Sequence, residues 1–149
     1  MKEVDIKDLG TLVGQEIGVS DWVEITQERV NQFAEATGDH QWIHVDVERA
    51  TREIGGPIAH GYLTLSLIPF LGAGLLRVTG VTRGINYGSD KVRFTNMVRV
   101  GKKVRMRQKL LSAEPKSGGI QMKNECTIEI EGEERPACVA ETISVIYGA

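Results

Sequence analysis

One stretch decides the fold class of this chain: Ala59-His-Gly-Tyr-Leu-Thr-Leu-Ser-Leu-Ile-Pro-Phe-Leu-Gly-Ala-Gly-Leu-Leu76. In a helical projection its apolar residues lie on every side, which is typical of a helix surrounded by protein. Pro69 lies inside the stretch, so we expect the helix to kink or end there. The most apolar part, Tyr62 to Leu76, has 15 residues, fewer than the roughly 20 that a membrane span needs. The sequence therefore predicts a buried helix and no membrane partner.

Two shorter helices are predicted upstream of this stretch. Thr26 precedes an amphipathic pattern that ends near Gly38, as an N-cap residue does. Asp46 is placed to cap a second short helix over residues 47–52. The run Gly55-Gly56-Pro57 then breaks the chain before the apolar helix begins.

Downstream, the hydrophobic pattern changes to a period of two, which indicates half-buried strands over residues 103–110 and 120–130. We expect further strands over 83–95 and 139–147, with turns at 114–119 and 131–134. Helices followed by a run of antiparallel strands predict one α+β domain over residues 1–149. An apolar helix beside about five strands suggests that the sheet wraps the helix. Such a half-wrapped unit leaves apolar surface uncovered, so we expect a homodimer.

Composition excludes several classes of protein. The chain has 149 residues, of which 41% are hydrophobic and 26% charged, and its net charge is −2; these values exclude a disordered chain and give no reason to expect a nucleic-acid partner. The mean hydropathy of −0.17 argues against an integral membrane protein. The two cysteines are too few for a disulfide framework, and the N-terminus lacks the apolar core of a signal peptide. We therefore expect a cytoplasmic location.

The charges are unevenly spread along the chain. Residues 1–66 hold 12 acidic and 5 basic side chains, whereas residues 91–109 hold 8 basic side chains and no acidic one. A local basic stretch in a nearly neutral protein suggests an anionic ligand. The alternating basic residues of 103–109 are most simply the solvated face of a strand.

Asp39 and His44 form the first candidate site. They lie five residues apart in a stretch that follows a helix and that we expect to be irregular. This spacing does not place two side chains on one face of a helix, but a loop can aim both at one point. A carboxyl group and an imidazole suit proton transfer through a bound water. The alternative is that Asp39 is a turn residue and His44 is structural.

Gly61 is the second candidate, because it opens the apolar helix. Its amide would lie in the first turn, where amides lack helical partners and the helix dipole favours negative charge. Such an N–H can bind a developing oxyanion, and glycine allows a substrate to approach the backbone closely. The alternative is that Gly61 only provides space at a crowded helix start. His60 is expected to form a local hydrogen bond there.

Two spaced motifs, Gly38-Asp39-His40-Gln41-Trp42-Ile43-His44 and Ile58-Ala59-His60-Gly61, resemble those of the MaoC-like dehydratases, the (R)-specific enoyl-CoA hydratases. The resemblance covers nearly the whole chain and implies a hot-dog fold, in which a curved antiparallel sheet wraps a long central helix, paired as a dimer. It also implies reversible hydration of a trans-2-enoyl thioester to an (R)-3-hydroxyacyl thioester, carried by coenzyme A or an acyl carrier protein. Asp39 and His44 would hold the water, and the Gly61 amide would polarise the thioester carbonyl.

The chain departs from the usual family pattern in two places. Gln41-Trp42 replaces Asn-Pro, which resembles the nodulation-protein-N-like subgroup. Pro69 stands where many relatives have a serine, so any role of that hydroxyl is absent or moves to Thr64 or Ser66.

The resemblance implies neither a cofactor nor a metal, although Asp39, His40, His44 and Asp46 could be imagined as a metal cluster. Arg93 and Arg99 are candidates to contact the phosphates of coenzyme A. Two alternative functions remain: a hot-dog acyl-CoA thioesterase, and a non-catalytic subunit that binds acyl thioesters.

Overall fold

The computed structural model describes residues 1–148, and its largest element is an antiparallel sheet of six strands. The chain forms these elements in order: β1 (Lys2–Asp5), a 3₁₀ helix (Ile6–Leu12), β2 (Glu16–Val19), β3 (Val23–Glu24), α1 (Gln27–Thr37), α2 (Trp42–Val45), α3 (Val47–Ile54), α4 (Gly61–Ser66), α5 (Ile68–Gly72), β4 (Leu76–Thr79), β5 (Val81–Arg93), β6 (Lys103–Lys116), β7 (Gly119–Ile130) and β8 (Cys138–Gly148).

The strands of the large sheet lie in the order β2-β6-β7-β8-β5, and β3 also pairs with β6. The period-two pattern is confirmed, since Val104, Met106 and Leu110 of β6 are fully buried while the residues between them are partly exposed. The predicted turn at 114–119 narrows to Ser117 and Gly118, which both have positive φ. Because glycine adopts positive φ without strain, this pair closes a tight hairpin between β6 and β7.

The apolar stretch forms α4 and α5, which run over the inner face of the sheet. Only Leu67 separates them, and its backbone keeps right-handed helical angles (φ −77°, ψ −11°). The expected interruption near Pro69 is confirmed, since Pro69 lies in the first turn of α5, where its missing N–H costs no helical bond. Leu63, Leu67 and Leu71 form the buried face, whereas Tyr62 and Phe70 are exposed. The expectation of a helix surrounded by protein is therefore wrong for the single chain, in which the helical segment packs on the sheet with one face.

The helix ends earlier than Leu76, so the predicted C-terminal boundary is wrong. The chain leaves α5 at Gly72 and enters β4, whose first residue pairs in parallel with Lys2 of β1. Glycine weakens a helix, and the pairing with β1 supplies hydrogen bonds that the local sequence does not show. The N-terminal strands β1 to β3, which the sequence pattern did not predict, have their partners in β4 and β6.

The predicted helix caps are confirmed. The side chain of Thr26 accepts a hydrogen bond from the Arg29 amide at 3.1 Å, and Gly38 ends α1 with a left-handed φ of 84°. The Asp46 carboxylate accepts from the Arg49 amide at 3.0 Å and caps α3, which extends to Ile54. These caps hold the segment between α1 and α3, which carries both Asp39 and His44.

None of the helices within residues 1–148 is long and apolar enough to cross a membrane. Both cysteines, Cys126 and Cys138, are buried as free thiols.

Candidate active site

Asp39 and His44 come together although only one of them lies in a loop. Asp39 follows the left-handed Gly38, whereas His44 lies on the short helix α2, so the expectation that this whole stretch is irregular is wrong. A carboxylate oxygen of Asp39 and a ring nitrogen of His44 lie within 4.8 Å of each other. Two hydrogen bonds of about 2.8 Å that meet at one water at roughly the tetrahedral angle join atoms about 4.6 Å apart. A separation of up to 4.8 Å is therefore compatible with a single bridging water.

Asp39 also has the local role that its position suggests. Its Oδ1 accepts a hydrogen bond from the Gln41 amide at 3.3 Å, which forms a turn directly before α2. The residue is exposed. The turn orients the carboxylate and leaves its second oxygen open.

His44 is buried, and its tautomer follows from its hydrogen bond. Its Nδ1 lies 2.6 Å from the carbonyl oxygen of Ile58, which can only accept, so Nδ1 carries the proton. Nε2 is then the nitrogen with a free lone pair, available to take a proton from water.

The surroundings of His44 favour its neutral form. Burial lowers the pKa of His44 below its ordinary value of 6.5, and the nearby His60 lowers it further. The hydrogen bond to Ile58 and the Asp39 carboxylate act in the opposite direction. The net effect keeps the imidazole unprotonated at neutral pH, as a general base requires.

His60 contacts both members of this pair, so the expectation of a local hydrogen bond is wrong. Its ring stacks on the His44 ring with centroids 3.8 Å apart and planes at 24°. Its Nε2 donates to the backbone carbonyl of Asp39 at 3.0 Å, and its Nδ1 is buried without a partner among the described residues. In the sequence, only the position of His60 next to Gly61 could have indicated that it belongs to the site. Its contacts with His44 and Asp39 join residues that are 16 and 21 positions apart.

Gly61 begins α4 and leaves little space for a side chain. A Cβ at this position would lie 3.0 Å from two carbon atoms of the Phe94 ring. As the first helical residue, Gly61 has an amide with no helical partner. Both interpretations of this glycine are therefore compatible with the geometry: it clears Phe94, and it presents a backbone N–H.

A cavity of about 370 Å³ lies where His44 meets the start of α4, and Asp39 lies outside its lining. His44, Gly61 and Thr64 line it together with Phe94, Asn96 and Arg135. Of the two hydroxyls considered in place of the missing serine, Thr64 lies here, whereas Ser66 donates to the Tyr62 carbonyl and lines another cavity. Asn96 and Arg135 belong to loops, and no sequence pattern indicated that they meet the site.

The cluster of Asp39, His44 and His60 has ligand types that bind metals, but the ring geometry does not suit one ion. The two imidazoles are nearly parallel and stacked, so their lone pairs lie in two separate planes. A cation bound in line with one lone pair would lie far out of the plane of the other ring. His40, a candidate ligand by sequence, lies 3.8 Å from the Glu35 carboxylate instead.

The candidate phosphate ligands Arg93 and Arg99 have different surroundings. Arg99 donates to the Gly56 carbonyl at 2.7 Å, so it ties two loops together. Arg93 is exposed and lies directly before Phe94, which lines the cavity. Of these two arginines, Arg93 is the one that remains available to a ligand near the site.

The basic residues of 103–109 are not an edge of this cavity. Arg105 pairs with Glu129 at 2.8 Å and Arg107 pairs with Glu16 at 2.6 Å, from positions that alternate with the buried residues of β6. They therefore occupy the outer face of the sheet. The simpler interpretation, a solvated strand face, agrees with this placement.

Comparison with known proteins shows which family and which relatives this chain resembles. Residues 8–130 match the model of the MaoC like domain family. The chain is 51% identical over 140 residues to 3-hydroxyacyl-thioester dehydratase Z of Mycobacterium tuberculosis, covering 93% of each chain. It is 44% identical to nodulation protein N of Rhizobium meliloti, covering 97% of this chain and 92% of that protein.

A solved structure gives the same fold. The (R)-hydratase PhaJ1 of Pseudomonas aeruginosa superposes with a TM-score of 0.71 at 25% identity, covering 92% of this chain and 83% of that one. The match therefore includes the segments that carry Asp39, His44 and Gly61 within a hot-dog architecture. On the extent of the family match and the identity to its relatives, this chain belongs to the MaoC-like dehydratase family.

Proposed function

We propose that this hydro-lyase catalyses the reversible addition of water to a trans-2-enoyl thioester, giving an (R)-3-hydroxyacyl thioester. The observation that carries the proposal is the convergence of Asp39 and His44, with a separation that fits one water, beside the cavity that Gly61 lines. A relative at 51% identity is named a 3-hydroxyacyl-thioester dehydratase, which supports the same reaction class.

His44 acts as the base in the hydration direction. Its Nε2 takes a proton from the bound water while the water oxygen forms a bond to C3 of the enoyl group. The π bond between C2 and C3 breaks, and its electrons move toward the thioester oxygen. The enolate then re-forms the carbonyl while C2 takes up the proton that His44 removed from the water, relayed with the assistance of Asp39. His44 returns to its neutral form, and the net change is the addition of one water.

Gly61 stabilises the charge that develops on the thioester oxygen. Its free amide donates a hydrogen bond to the carbonyl as it becomes an enolate. The acyl chain continues along the helical segment α4–α5, where a second cavity follows the first. Arg135 lines the first cavity, and Arg93 ends β5 directly before the lining residue Phe94. In this proposal the two guanidinium groups bind phosphates outside the cavity.

The direct test follows the loss of the enoyl absorbance of crotonyl-CoA with purified protein. Asp39→Asn and His44→Gln should each lower kcat on the order of a hundredfold or more, because each removes a proton-transfer group. His40→Gln and Asp46→Asn repeat the same chemical changes at neighbouring positions outside the cavity and should retain activity. Wild-type rates in both Asp39 and His44 variants would refute the assigned roles.

Two other outcomes would redirect the assignment. Release of free thiol without consumption of the enoyl group would identify a thioesterase. Tight binding of CoA thioesters without turnover at any chain length would identify a non-catalytic binding subunit. Parallel assays with acyl carrier protein thioesters distinguish the two carriers.

A second copy of this chain is the proposed partner. Within residues 1–148, β5 pairs only with β8, so its other edge is open. Ile85 and Tyr87 on this strand are 50% and 61% exposed, and Tyr62 and Phe70 on the helical segment are 69% and 58% exposed. Exposed apolar side chains beside an open strand edge suit association with an identical surface.

Sedimentation equilibrium tests the dimer. We expect a mass of twice 16.4 kDa for the wild type and a shift toward monomer for Ile85→Asp, which places a charge on the open strand. A wild type that stays monomeric while active would contradict the proposal.

The proposed location is the cytoplasm. Burial raises the pKa of the Cys138 thiol to about 11, and that of the Cys126 thiol is also raised, so both remain protonated and unreactive. Buried free thiols suit a reducing compartment. Fractionation of cells that express the protein from its own promoter tests the location.

A further inference from the structure

The second cavity, of about 640 Å³, has a polar floor that the proposed reaction does not use. It lies beside α4–α5 and is closed below by the inner faces of β6, β7 and β8. Gln108, Asn124 and Thr142 supply this floor, one from each of three neighbouring strands.

These polar residues occupy positions that the sheet otherwise fills with apolar side chains. Gln108 lies between the fully buried Met106 and Leu110 on the inner face of β6, and Asn124 lies between Met122 and Cys126 on β7. Burying an amide at such a position costs free energy unless its hydrogen bonds are made. Two adjacent amides therefore depart from the apolar pattern of this inner face, and such departures are typical of functional sites, here one that binds a ligand.

The two amides satisfy each other only in part. Gln108 Nε2 donates to Asn124 Oδ1 at 3.0 Å. Within residues 1–148 this is the one side-chain hydrogen bond that either amide makes, so Asn124 Nδ2 remains a free donor and Gln108 Oε1 a free acceptor. Asn124 is only 7% exposed, and both residues line the cavity. Neither atom is fully buried, so this donor and this acceptor face the open cavity, where water or a ligand can complete their hydrogen bonds.

The charge around the cavity narrows the class of ligand. Its described lining contains amides, hydroxyls and apolar groups but no acidic or basic side chain. A carboxylate or an ammonium group would have no counter-charge there. A hydroxyl group fits, because it can accept from Asn124 and donate to Gln108 at the same time.

We propose that this cavity binds the distal end of an acyl chain that carries a hydroxyl group, held by Asn124 and Gln108. The inference rests on the proposed hydratase function and adds a substrate class to it: oxygenated enoyl thioesters are preferred over plain alkyl ones of the same length. Thr142 and Ser144 at the same floor extend the polar surface.

The test compares pairs of enoyl-CoA substrates that differ only at the chain end. The trans-2-enoyl-CoAs of six, eight and ten carbons are assayed beside their terminally hydroxylated counterparts. We expect kcat/KM to favour the hydroxylated member on the order of tenfold at the length that reaches the floor, since a site built to hydrogen-bond a hydroxyl disfavours the analogue that lacks it. Preference for the alkyl member at every length would overturn the inference.

A matched pair of variants assigns the preference to these residues. Asn124→Leu removes the free donor and should abolish or reverse the preference for the hydroxylated member. Gln121→Leu also replaces an amide side chain of β7 with leucine, but on the opposite face of the strand. It should leave the preference unchanged. An unchanged preference in Asn124→Leu would also overturn the inference.

The outcomes separate this inference from the function on which it rests. Turnover of crotonyl-CoA without the hydroxyl preference overturns the inference and leaves the hydratase function standing. Absence of turnover with every enoyl-CoA overturns both. The comparison of wild-type substrates decides the question even if Asn124→Leu does not fold.

Discussion

Replacing Gly61 with alanine adds one methyl group at the point where the backbone meets both the cavity and Phe94. The new Cβ would lie 3.0 Å from Cδ2 and Cγ of the Phe94 ring and 3.2 Å from its Cε2. Contacts this short require a neighbour to move by a few tenths of an ångström. The Phe94 ring already packs edge-on against Tyr62, with centroids 5.8 Å apart. Because the Phe94 ring is 44% exposed but contacts Tyr62, we expect the displacement to be divided between the ring and the backbone of Gly61.

The expected loss follows from the role of the Gly61 amide. Removing one donor to a developing oxyanion costs about 10²–10³ in kcat, while a small displacement of a positioned group costs less. The alanine variant keeps the N–H but moves it, so we expect kcat to fall on the order of tenfold to a hundredfold. KM should change little, because the ground-state carbonyl depends less on this bond.

A double-mutant cycle measures the cause of the loss. Hydration of crotonyl-CoA is compared in Gly61→Ala, Phe94→Ala and the double variant, which should recover to the level of Phe94→Ala alone because the obstacle is gone. Gly74→Ala adds a methyl group where no atom lies within 4 Å and should keep wild-type activity. Full activity in Gly61→Ala would show that the position of this amide does not matter. A double variant no better than Gly61→Ala would show that Phe94 is not the obstacle.

The other predictions concern pH, charge and stability. Because catalysis needs neutral His44, activity falls as the pH drops through the pKa of this residue. Burial and His60 lower that pKa, so we expect the acid limb of the kcat/KM profile to lie below pH 6.5. His60→Phe removes one of the two causes and should move the limb to higher pH. An unmoved limb would argue against the contribution of His60. Arg135→Ala should raise KM for CoA substrates, because it removes a positive charge that we expect to contact phosphate. High salt should raise KM of the wild type in the same way, since it screens that charge. An unaltered KM in the variant would count against the contact. Asp46→Ala removes the cap on α3 and lowers the free energy of unfolding in urea by about 1 kcal/mol; loss of less than a few tenths would mean that the cap contributes little.

The elements that could be read from the sequence are those whose signal is local. Thr26 and Asp46 precede their helices directly, and a cap acts only on amides two or three residues away. The alternation in β6 and β7 is visible because successive residues of a strand face opposite sides. By contrast, β1 has its partner 74 residues away, between Lys2 and Leu76, and nothing in either segment identifies the other.

The candidate site likewise combines features with a local sequence signal and contacts between distant segments. The sequence alone suggested the chemistry, because it contains an acid, an imidazole and a helix-start glycine in two spaced motifs that resemble those of a known family. The sequence does not indicate whether the hydroxyl of Thr64 or that of Ser66 lines the site. The two residues lie half a turn of α4 apart, and only the packing of the helix decides which side of it faces the cavity. Only the tertiary structure decided that His60 stacks on His44, that Ile58 sets its tautomer and that two amides form the floor of the second cavity. Those contacts depend on the path of the backbone between distant segments, and burial and stacking arise only when that path brings the side chains together.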